Sequence, residues 1–327
     1  MKLGRTTFAM LLASAVTAVS TLATPVVAET ELVMSSWLPP RHTLVVNAMK
    51  PWARQVAEVT DGRVTVRVLG SPAGAPPAHF DMAAEGIADI TYGLHSFTTD
   101  DRFLGSRIGQ FSFIGDDAVS GSKAFWTVYS GALEAQKEHM GVKLLGLFVH
   151  GPGVLHNNVR KVETPEDMKG LNMRVAGPMY IDVMNALGAN PQQMQWGETI
   201  TALQQGVVDG QENPLALIRS ANFNEVQAHV NQTEHVRSWI YLTIAESTWG
   251  KLSADDQAAV TQAAAAAQEY ERSLLLDSLA ADQAYLEENG MTFVEVDGAA
   301  FQAAARDAVL ANVSDEIKPI VEGLFAN

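Results

Sequence analysis

The sequence predicts an α/β protein with a mostly parallel sheet that helices cover on both faces. Strand patterns alternate with helix patterns along most of the chain, which is typical of parallel strands joined by helical crossovers. The 327 residues are enough for two domains of ordinary size, each with its own core. A helix pattern near the C-terminal end is longer than one small domain needs, which favours a helix that bridges two domains.

The first predicted elements form a β-α-β unit. An apolar strand runs from Glu31 to Ser36, and apolar residues at helical spacing follow from His42 to Thr60. Pro51 should kink that helix, because proline cannot donate a hydrogen bond to the preceding turn. A turn at Gly62 leads into Val64 to Leu69, whose branched side chains favour a strand.

The alternation continues beyond this unit. A helix near Pro77 to Gly86, a strand at Ile87 to Tyr92, a helix around Ser122 to Met140 and a strand at Val142 to Val149 follow. The second half repeats the pattern at Asn172 to Val175, Tyr180 to Leu187, Thr199 to Gln205 and the strand Val236 to Ile244. We expect a turn near the domain junction after Val149, in the segment that contains His150 and His156.

The clearest helix signal begins at Ser253. Ser253 and Asp256 form a capping-box pattern, and a run rich in Ala, Gln and Glu continues to about Glu288, where Asn289 and Gly290 stop it. Such a helix spans roughly 50 Å at about 1.5 Å per residue. A coiled-coil or membrane-surface helix is the alternative, but no sustained heptad with charged flanks supports it.

Residues 1–28 have the pattern of a cleaved secretory signal peptide. Lys2 and Arg5 give a positive start, Phe8 to Ala23 form an apolar stretch, and small residues precede position 29. Hydroxyl residues dilute the stretch, which disfavours the alternative of an uncleaved membrane anchor. The sequence therefore predicts export to the periplasm and a mature chain that begins at Glu29.

Composition excludes several classes of partner. The formal charge is −15, and it becomes −17 once Lys2 and Arg5 leave with the signal peptide. Nucleic acid and anionic membrane would both be repelled by such an acidic surface. The chain has no cysteine, so neither disulfides nor thiolate chemistry are expected.

No motif of catalysis, cofactor binding or metal binding stands out. The glycines near Ser106 do not flank it as a nucleophile elbow requires, and His156 stands where the third glycine of a dinucleotide loop belongs. The chain has eight scattered histidines, and a metal site needs three or four converging ligands. The sequence therefore predicts no enzyme, no cofactor and no metal site.

The segment from Glu163 to Pro214 carries a family resemblance. It contains TPEDMKGLNMRV from Thr164 to Val175 and TALQQGVVDGQENP from Thr201 to Pro214. Matching residues also occur at Gly86 to Ile90 and at Thr248 to Gln257, in the same order along the chain. The chain resembles the solute-binding subunits of tripartite ATP-independent periplasmic (TRAP) transporters, the DctP-type family, over nearly everything after the leader.

The resemblance implies a two-lobed periplasmic-binding-protein fold, type II-like, with a ligand cleft between the lobes and a long helix that spans both. Lobe I is expected to comprise 29–150, with roughly 240–280 returning to it. Lobe II is expected to comprise 151–239, with roughly 281–327 returning to it. Such a protein captures a small organic acid without changing it and delivers it to small and large permease subunits in the membrane.

Two polar residues match positions that the family uses to bind its ligand. Arg174 matches the arginine that pairs with the ligand's carboxylate, and a guanidinium fork fits a carboxylate with two parallel hydrogen bonds. An ordinary ion pair with an acid of the protein is the alternative for Arg174. Asn213 matches an asparagine before a proline, and Pro214 favours an extended backbone there. A turn residue is the alternative for Asn213.

Aromatic side chains are candidates for the wall of the site. Ligands in open α/β sheets lie beyond the carboxyl ends of the strands, where several aromatic residues are predicted. The candidates are Trp37, Tyr92, Phe148, Trp196 and Trp239, together with His150. Each could equally belong to the core, because large aromatic side chains are usually well buried.

One departure from the family bears on the ligand. Many members resembling this chain carry a second arginine where the nearest alignment places Gly153. A dicarboxylate would therefore lack one partner, and a monocarboxylate or sulfonate fits better. An acid with a cationic onium group could also use the aromatic residues through cation–π attraction.

Two other functions remain open from the sequence. A sensory protein of the same fold would present its ligand to a receptor kinase instead of a permease. An exported enzyme acting on an organic acid is the rival from a different class. We expect a monomer, although an exposed long helix could support a dimer.

Overall fold

The nine described strands form a single mixed sheet. The computed structural model describes residues 30–38, 40–98, 101–106, 118–194, 196–311, 315, 318–319 and 322. The predicted signal peptide, residues 1–28, lies outside these described residues. The strands are β1 (Thr30–Ser36), β2 (Val64–Val68), β3 (Ile90–Leu94), β4 (Val142–Asn157), β5 (Asn172–Val175), β6 (Asn190–Gln193), β7 (Gly210–Pro214), β8 (His229–Ala245) and β9 (Thr292–Val294).

Helices alternate with most of these strands. The α-helices are α1 (Lys50–Val59), α2 (His79–Ala84), α3 (Ala118–Ser130), α4 (Pro178–Ala186), α5 (Trp196–Gln204), α6 (Leu215–Ser220), α7 (Glu246–Trp249), α8 (Ala254–Glu288) and α9 (Gly298–Ala311). A π-helical turn occupies Val45–Met49, and short 3₁₀ turns occupy Pro76–Ala78, His95–Phe97, Asp101–Phe103, Ala135–Glu138, Pro165–Met168 and Phe223–Glu225.

The direction of the strands changes from the ends of the sheet to its centre. The strand order is β2-β1-β3-β8-β4-β7-β5-β6, with β9 beside β8. β1, β2 and β3 pair in parallel at one end, and β5 pairs in parallel with β6 and β7 at the other. β8 and β4 pair antiparallel with each other and with β3 and β7, whereas the short β9 pairs in parallel with β8. The predicted parallel sheet is therefore found at both ends, while the centre is antiparallel.

β4 and β8 are much longer than the sequence predicts. They have 16 and 17 residues, and they pair from Val142 opposite Ala245 to Asn157 opposite His229. The turn predicted after Val149 is wrong, because His150 and His156 both lie within β4. Gly151 has a φ of 84°, and the register shifts between Val149 and Pro152. Glycine and proline, which usually signal a turn, here make a bulge inside a continuous strand.

Two other predicted elements differ in detail. The helix predicted to reach Met140 ends at Ser130, and the chain reverses at Glu134, which has a left-handed φ of 48°. Pro51 lies in the first turn of α1, directly after the π-helical turn. A proline in the first turn of a helix removes no hydrogen bond of the helix interior.

The long helix α8 confirms its predicted ends. Ser253 is the N-cap: its Oγ accepts a hydrogen bond from the backbone N–H of Asp256 at 3.1 Å and donates to the Asp256 carboxylate at 2.7 Å. The Arg63 guanidinium lies 2.9 Å from the same carboxylate. The helix ends at Glu288, with Asn289 as its C-cap. These contacts fix the start of α8 to the β1–β2 end of the sheet.

The buried apolar residues form four clusters, which we group in pairs as core A and core B. Core A contains, among others, Leu32, Trp52, Ile90, Phe125, Leu147, Val149, Trp239, Tyr241, Ala264 and Leu275. Core B contains, among others, Val154, Leu155, Met173, Val183, Val230, Val236, Leu286 and Phe301. β4, β8 and α8 contribute to both cores. The lobe boundaries stay a prediction, which this division of the core supports.

We expect Ser253→Ala to destabilise the protein by about 1 kcal/mol, because the first turn of α8 loses its side-chain cap. Chemical denaturation of both proteins measures the difference. Ser273→Ala is the matched control, since Ser273 is an exposed serine within the same helix. Equal stability of the two variants would contradict a capping role for Ser253.

Candidate functional site

A cavity of about 450 Å³ lies where elements of the two cores face each other. Its lining combines apolar, aromatic and hydrogen-bonding side chains with one arginine and one glutamate. The lining residues are Trp37, Pro76, Leu94, Ser96, Phe97, His150, Arg174, Ala176, Tyr180, Trp196, Glu212, Asn213, Pro214, Leu217 and Ser238.

The ends of several strands bring these residues together. Trp37 follows β1, and Phe97 lies just beyond the end of β3. Arg174 is in β5, Asn213 is near the end of β7, and His150 is in the middle of β4. The structure therefore gathers five of the predicted site residues around one cavity: Arg174, Asn213, Trp37, Trp196 and His150.

Arg174 is buried without an acid in contact. The residue is 5% exposed, its Nη2 donates to the backbone oxygen of Met194 at 3.2 Å, and its guanidinium carbon lies 5.7 Å from the centre of the Trp196 ring. Within the described part of the chain, no carboxylate lies within salt-bridge distance of Arg174, and its Nε has no hydrogen-bond partner. Burial lowers the pKa of this guanidinium, and the charge of Glu212 opposes that effect.

Asn213 belongs to a strand and not to a turn. It pairs with Val154 across β4 and β7, so the backbone is extended, as Pro214 favours. Its Nδ2 donates to the side-chain oxygen of Gln211 at 2.7 Å. Gln211 donates in turn to Gln227 at 3.4 Å. This chain of amides fixes the direction of the Asn213 side chain at the cavity wall.

Glu212 is a site residue that the motif search missed. It is 7% exposed and lines the cavity, and its charge affects both Arg174 and Tyr180. Burial raises the pKa of its carboxyl to about 7, although the positive charge of Arg174 lowers it. Burial also raises the pKa of Tyr180, whose hydroxyl lies 3.3 Å from the Ser238 hydroxyl. Its place in the sequence could have indicated this role, because Glu212 directly precedes Asn213 in the QENP string.

His150 forms a neutral part of the wall. Burial, and secondarily the neighbouring His42, lower its pKa well below the ordinary value. Its Nε2 lies 3.3 Å from Nε2 of His42, and its ring meets the Trp37 ring edge-on at 5.6 Å. Behind it lies a second cavity of about 460 Å³, which reaches Glu271 on α8. His150 therefore separates the two cavities and adds no positive charge to the first one.

Three of the predicted wall residues lie elsewhere. Tyr92 packs against Phe148 at 5.3 Å in core A, and Trp239 stacks on Phe125 at 4.5 Å. Tyr92 and Phe148 each come two residues before a lining residue of the same strand, Leu94 in β3 and His150 in β4. They therefore lie deeper in the sheet. Trp239 faces away because successive residues of a strand point to opposite faces, and its neighbour Ser238 is the one that lines the cavity.

The cavity continues outward through a wider space of about 780 Å³. Arg174, Trp196 and Phe97 line both spaces. At the outer edge the Arg102 guanidinium lies 2.6 Å from the Asp81 carboxylate, and both side chains are exposed. Arg174 therefore borders both the inner and the outer space.

Two further features concern membranes and metals. No helix among the described residues is both long and apolar enough to cross a membrane. No group of three or more His, Asp or Glu side chains in the same residues is placed to hold a metal ion.

Comparison with known proteins gives a family match over most of the chain. The model of the bacterial extracellular solute-binding proteins, family 7, matches residues 34–316. A solute-binding protein of Roseobacter denitrificans is 67% identical over 190 residues, which cover 58% of each chain. The matches with three curated relatives cover 58%, 48% and 56% of those proteins, so the chain spans about half of their length.

Solved structures are similar over nearly their whole length. A TRAP periplasmic solute-binding protein of Roseobacter denitrificans with bound L-galactonate is 47% identical, with a TM-score of 0.76, covering 91% of this chain and 99% of that one. A TRAP protein of Bordetella bronchiseptica with bound (R)- and (S)-mandelate is 31% identical, with a TM-score of 0.78, covering 90% and 97%.

The raised pKa of Glu212 makes a testable contribution to stability. The folded protein keeps this proton up to about pH 7, whereas an ordinary glutamate releases it near 4.5. Stability from this group is therefore complete at low pH and is lost as the pH rises through that window. We expect Glu212→Gln to make this decline shallower, measured as the melting temperature of the ligand-free protein from pH 5 to 8. A part of the decline remains, because burial also raises the pKa of Glu271, to about 8.

The control for this experiment is Glu288→Gln, because Glu288 is exposed at the end of α8. That variant should keep the pH profile of the wild type. Parallel profiles for Glu212→Gln and the wild type would contradict the raised pKa of Glu212.

Proposed function

The chain belongs to family 7 of the bacterial extracellular solute-binding proteins, and from this premise we propose that it captures a small organic acid in the periplasm and delivers it to a membrane permease. Membership confirms the resemblance to the TRAP solute-binding proteins, the two-lobed fold and the prediction of a binding protein and not an enzyme. The ligand, its contacts and the partner are what we propose here.

The observation that carries the proposal is the buried arginine. A charged group taken out of water is costly unless an opposite charge and hydrogen bonds compensate it. Arg174 has one backbone acceptor, at Met194, and no acid of the described chain in contact with it. A ligand carboxylate in the cavity would supply the missing charge and accept parallel hydrogen bonds from the guanidinium. The alternative of an ordinary ion pair has no support in this geometry.

The lining also favours an acid with further polar groups. Asn213 offers an amide whose direction is fixed, and Ser96, Tyr180 and Ser238 offer hydroxyls. Two solved relatives hold carboxylates, L-galactonate and mandelate. Arg174 is the one arginine of the described chain that lines the inner cavity, which favours a monocarboxylate. A sulfonate or an onium acid would also place a single anion on Arg174.

The charge of Arg174 inside the cavity reconciles an anionic ligand with an acidic protein. The formal charge of the chain is −15, and long-range repulsion between surface acids and the ligand is screened beyond about 8 Å at physiological salt. Inside the cavity, the charge of Arg174 acts over a short distance with little screening. The ligand therefore responds to the local charge of the cavity more than to the net charge.

The lining residues come from both sides of the cavity, and this arrangement supports closure of the lobes around a ligand. Trp37, Leu94 and Phe97 come from elements on the core A side, whereas Arg174, Tyr180 and Asn213 come from elements on the core B side. A ligand that contacts both sides stabilises the arrangement in which they are close together. We propose that the closed form is the one that docks on the small and large permease subunits.

The same proposal includes export. Residues 1–28 would direct the chain to the periplasm and be removed, and mass spectrometry of the exported protein would then find Glu29 as its first residue. The monomer predicted from the sequence is also part of this proposal.

We expect Arg174→Ala to weaken the binding of an acid about a hundredfold or more, because truncating one member of a buried charge pair usually costs 2–5 kcal/mol or so. Arg174→Lys should bind with an affinity between those of the wild type and Arg174→Ala, because lysine keeps the charge but loses the two parallel hydrogen bonds of the guanidinium. Isothermal titration calorimetry with L-galactonate and other carboxylates measures these affinities.

Arg67→Ala is the matched control, because Arg67 is exposed and pairs with exposed Glu31 on β1. It should bind like the wild type. Unchanged affinity in Arg174→Ala would contradict the role of Arg174, and a wild type that binds no acid would overturn the proposed function.

A further inference from the structure

The carboxyl group of Glu212 occupies space that only a glycine leaves free. A Cβ atom placed on Gly153 would lie 2.0 Å from Oε1 of Glu212 and 3.0 Å from its Cδ. Real Cβ atoms do not approach other heavy atoms this closely, so any side chain at position 153 would push the carboxyl away. Gly153 in β4 therefore determines where the Glu212 carboxyl can lie.

The same carboxyl has an unused acceptor. Oε1 of Glu212 is buried and has no hydrogen-bond partner in the described part of the chain. The Arg174 guanidinium is near enough to affect Glu212 electrostatically, yet no ion pair joins the two residues. A buried acceptor without a partner is unfavourable, and a donor on a bound ligand would remove that cost.

The inner cavity has one basic and one acidic side chain that can carry a charge near neutral pH. Among the residues that the structure describes, the charged or titratable side chains of the inner lining are Arg174, Glu212, His150 and Tyr180. His150 and Tyr180 are neutral near pH 7, because burial lowers the pKa of the histidine and raises that of the tyrosine. The cavity thus offers one cation for one carboxylate, and its second charged group is an acid.

We propose that Glu212, held in place by the bare backbone of Gly153, selects polyhydroxy monocarboxylates and rejects dicarboxylates. A hydroxyl group of the ligand donates to Oε1, while the carboxylate of the ligand pairs with Arg174. A second carboxylate would meet a group of its own charge and leave Oε1 without a donor. This inference rests on the proposed function and names the class of acid that the same site takes.

Neutral partners around Glu212 favour hydroxyl groups over an ammonium group. Ser96, Ser238 and Tyr180 present hydroxyls to the cavity, and Asn213 presents an amide. Such groups both donate and accept, as the hydroxyls of a sugar acid do. An ammonium group only donates, and it would also be repelled by the positive charge of Arg174.

The test compares three six-carbon acids by calorimetry at pH 8. Burial raises the pKa of the Glu212 carboxyl to about 7, so Glu212 carries its negative charge at that pH. L-galactonate has hydroxyls and one carboxylate, galactarate has hydroxyls and two carboxylates, and hexanoate has one carboxylate and no hydroxyl. We expect the wild type to bind L-galactonate at least tenfold more tightly than either of the others. A preference of this size corresponds to about 1.4 kcal/mol.

Two substitutions at position 212 separate charge from hydrogen bonding. Glu212→Gln keeps the shape and an acceptor but removes the negative charge, so the preference over galactarate should shrink at least threefold or so. Glu212→Leu removes the acceptor, so the preference over hexanoate should shrink as well. Gly153→Ala keeps Glu212 but moves its carboxyl, and it should reduce both preferences.

Gly70→Ala is the control for the glycine substitution, because a Cβ atom there meets nothing within 4 Å. It should keep all wild-type preferences. If acids bind but the wild type does not discriminate, or if the position 212 and 153 variants keep its preferences, the role of Glu212 is wrong while the proposed function stands. If no acid binds the wild type, the proposed function itself fails.

Discussion

The antiparallel pairing of β4 with β8 is the constraint on which the rest of the molecule depends. These strands pair over almost their whole length, from Val142 opposite Ala245 to Asn157 opposite His229. Their two ends contribute to different cores, so a single sheet connects both halves of the protein. The bulge at Gly151 interrupts the ladder where one core gives way to the other. Irregular pairing at this point allows the strands to bend without separating.

The position of the site between the two cores explains why its charged groups need partners. Side chains that enter the cavity leave water, so each charged group there needs a partner. Arg174 lacks an acid in contact and Oε1 of Glu212 lacks a donor, among the residues that the structure describes. Water or a ligand can supply the missing acceptor of Arg174 and the missing donor of Glu212. Only an acid that also carries a donor group supplies both with one molecule. The neutral state of His150 keeps the other wall of the cavity from competing for that anion.

The sequence predicted those features that depend on residues close together in the chain. The ends of α8 followed from Ser253 and Asn289, because caps depend on neighbouring backbone groups. Arg174 and Asn213 followed from motifs that surround them. The length of β4 could not be predicted, since Gly151 and Pro152 signal a turn unless a long partner strand holds them. Trp239 and Tyr92 could not be separated from Trp37 and Trp196, because which aromatic side chain reaches a cavity depends on tertiary packing. Glu212 was overlooked because a single acid has no pattern until a cavity and Gly153 surround it.

The central claim is that one acid bridges the two sides of the cavity and draws them together. Because the chain has no cysteine, Ser71→Cys and Gln192→Cys would introduce only two thiols, at exposed positions on the two sides. Spin labels at these thiols allow the distance between the sides to be measured by double electron–electron resonance, with and without L-galactonate. We predict a shorter and narrower distance distribution once the acid binds. An unchanged distribution, in a sample where calorimetry shows the acid bound, would contradict the account.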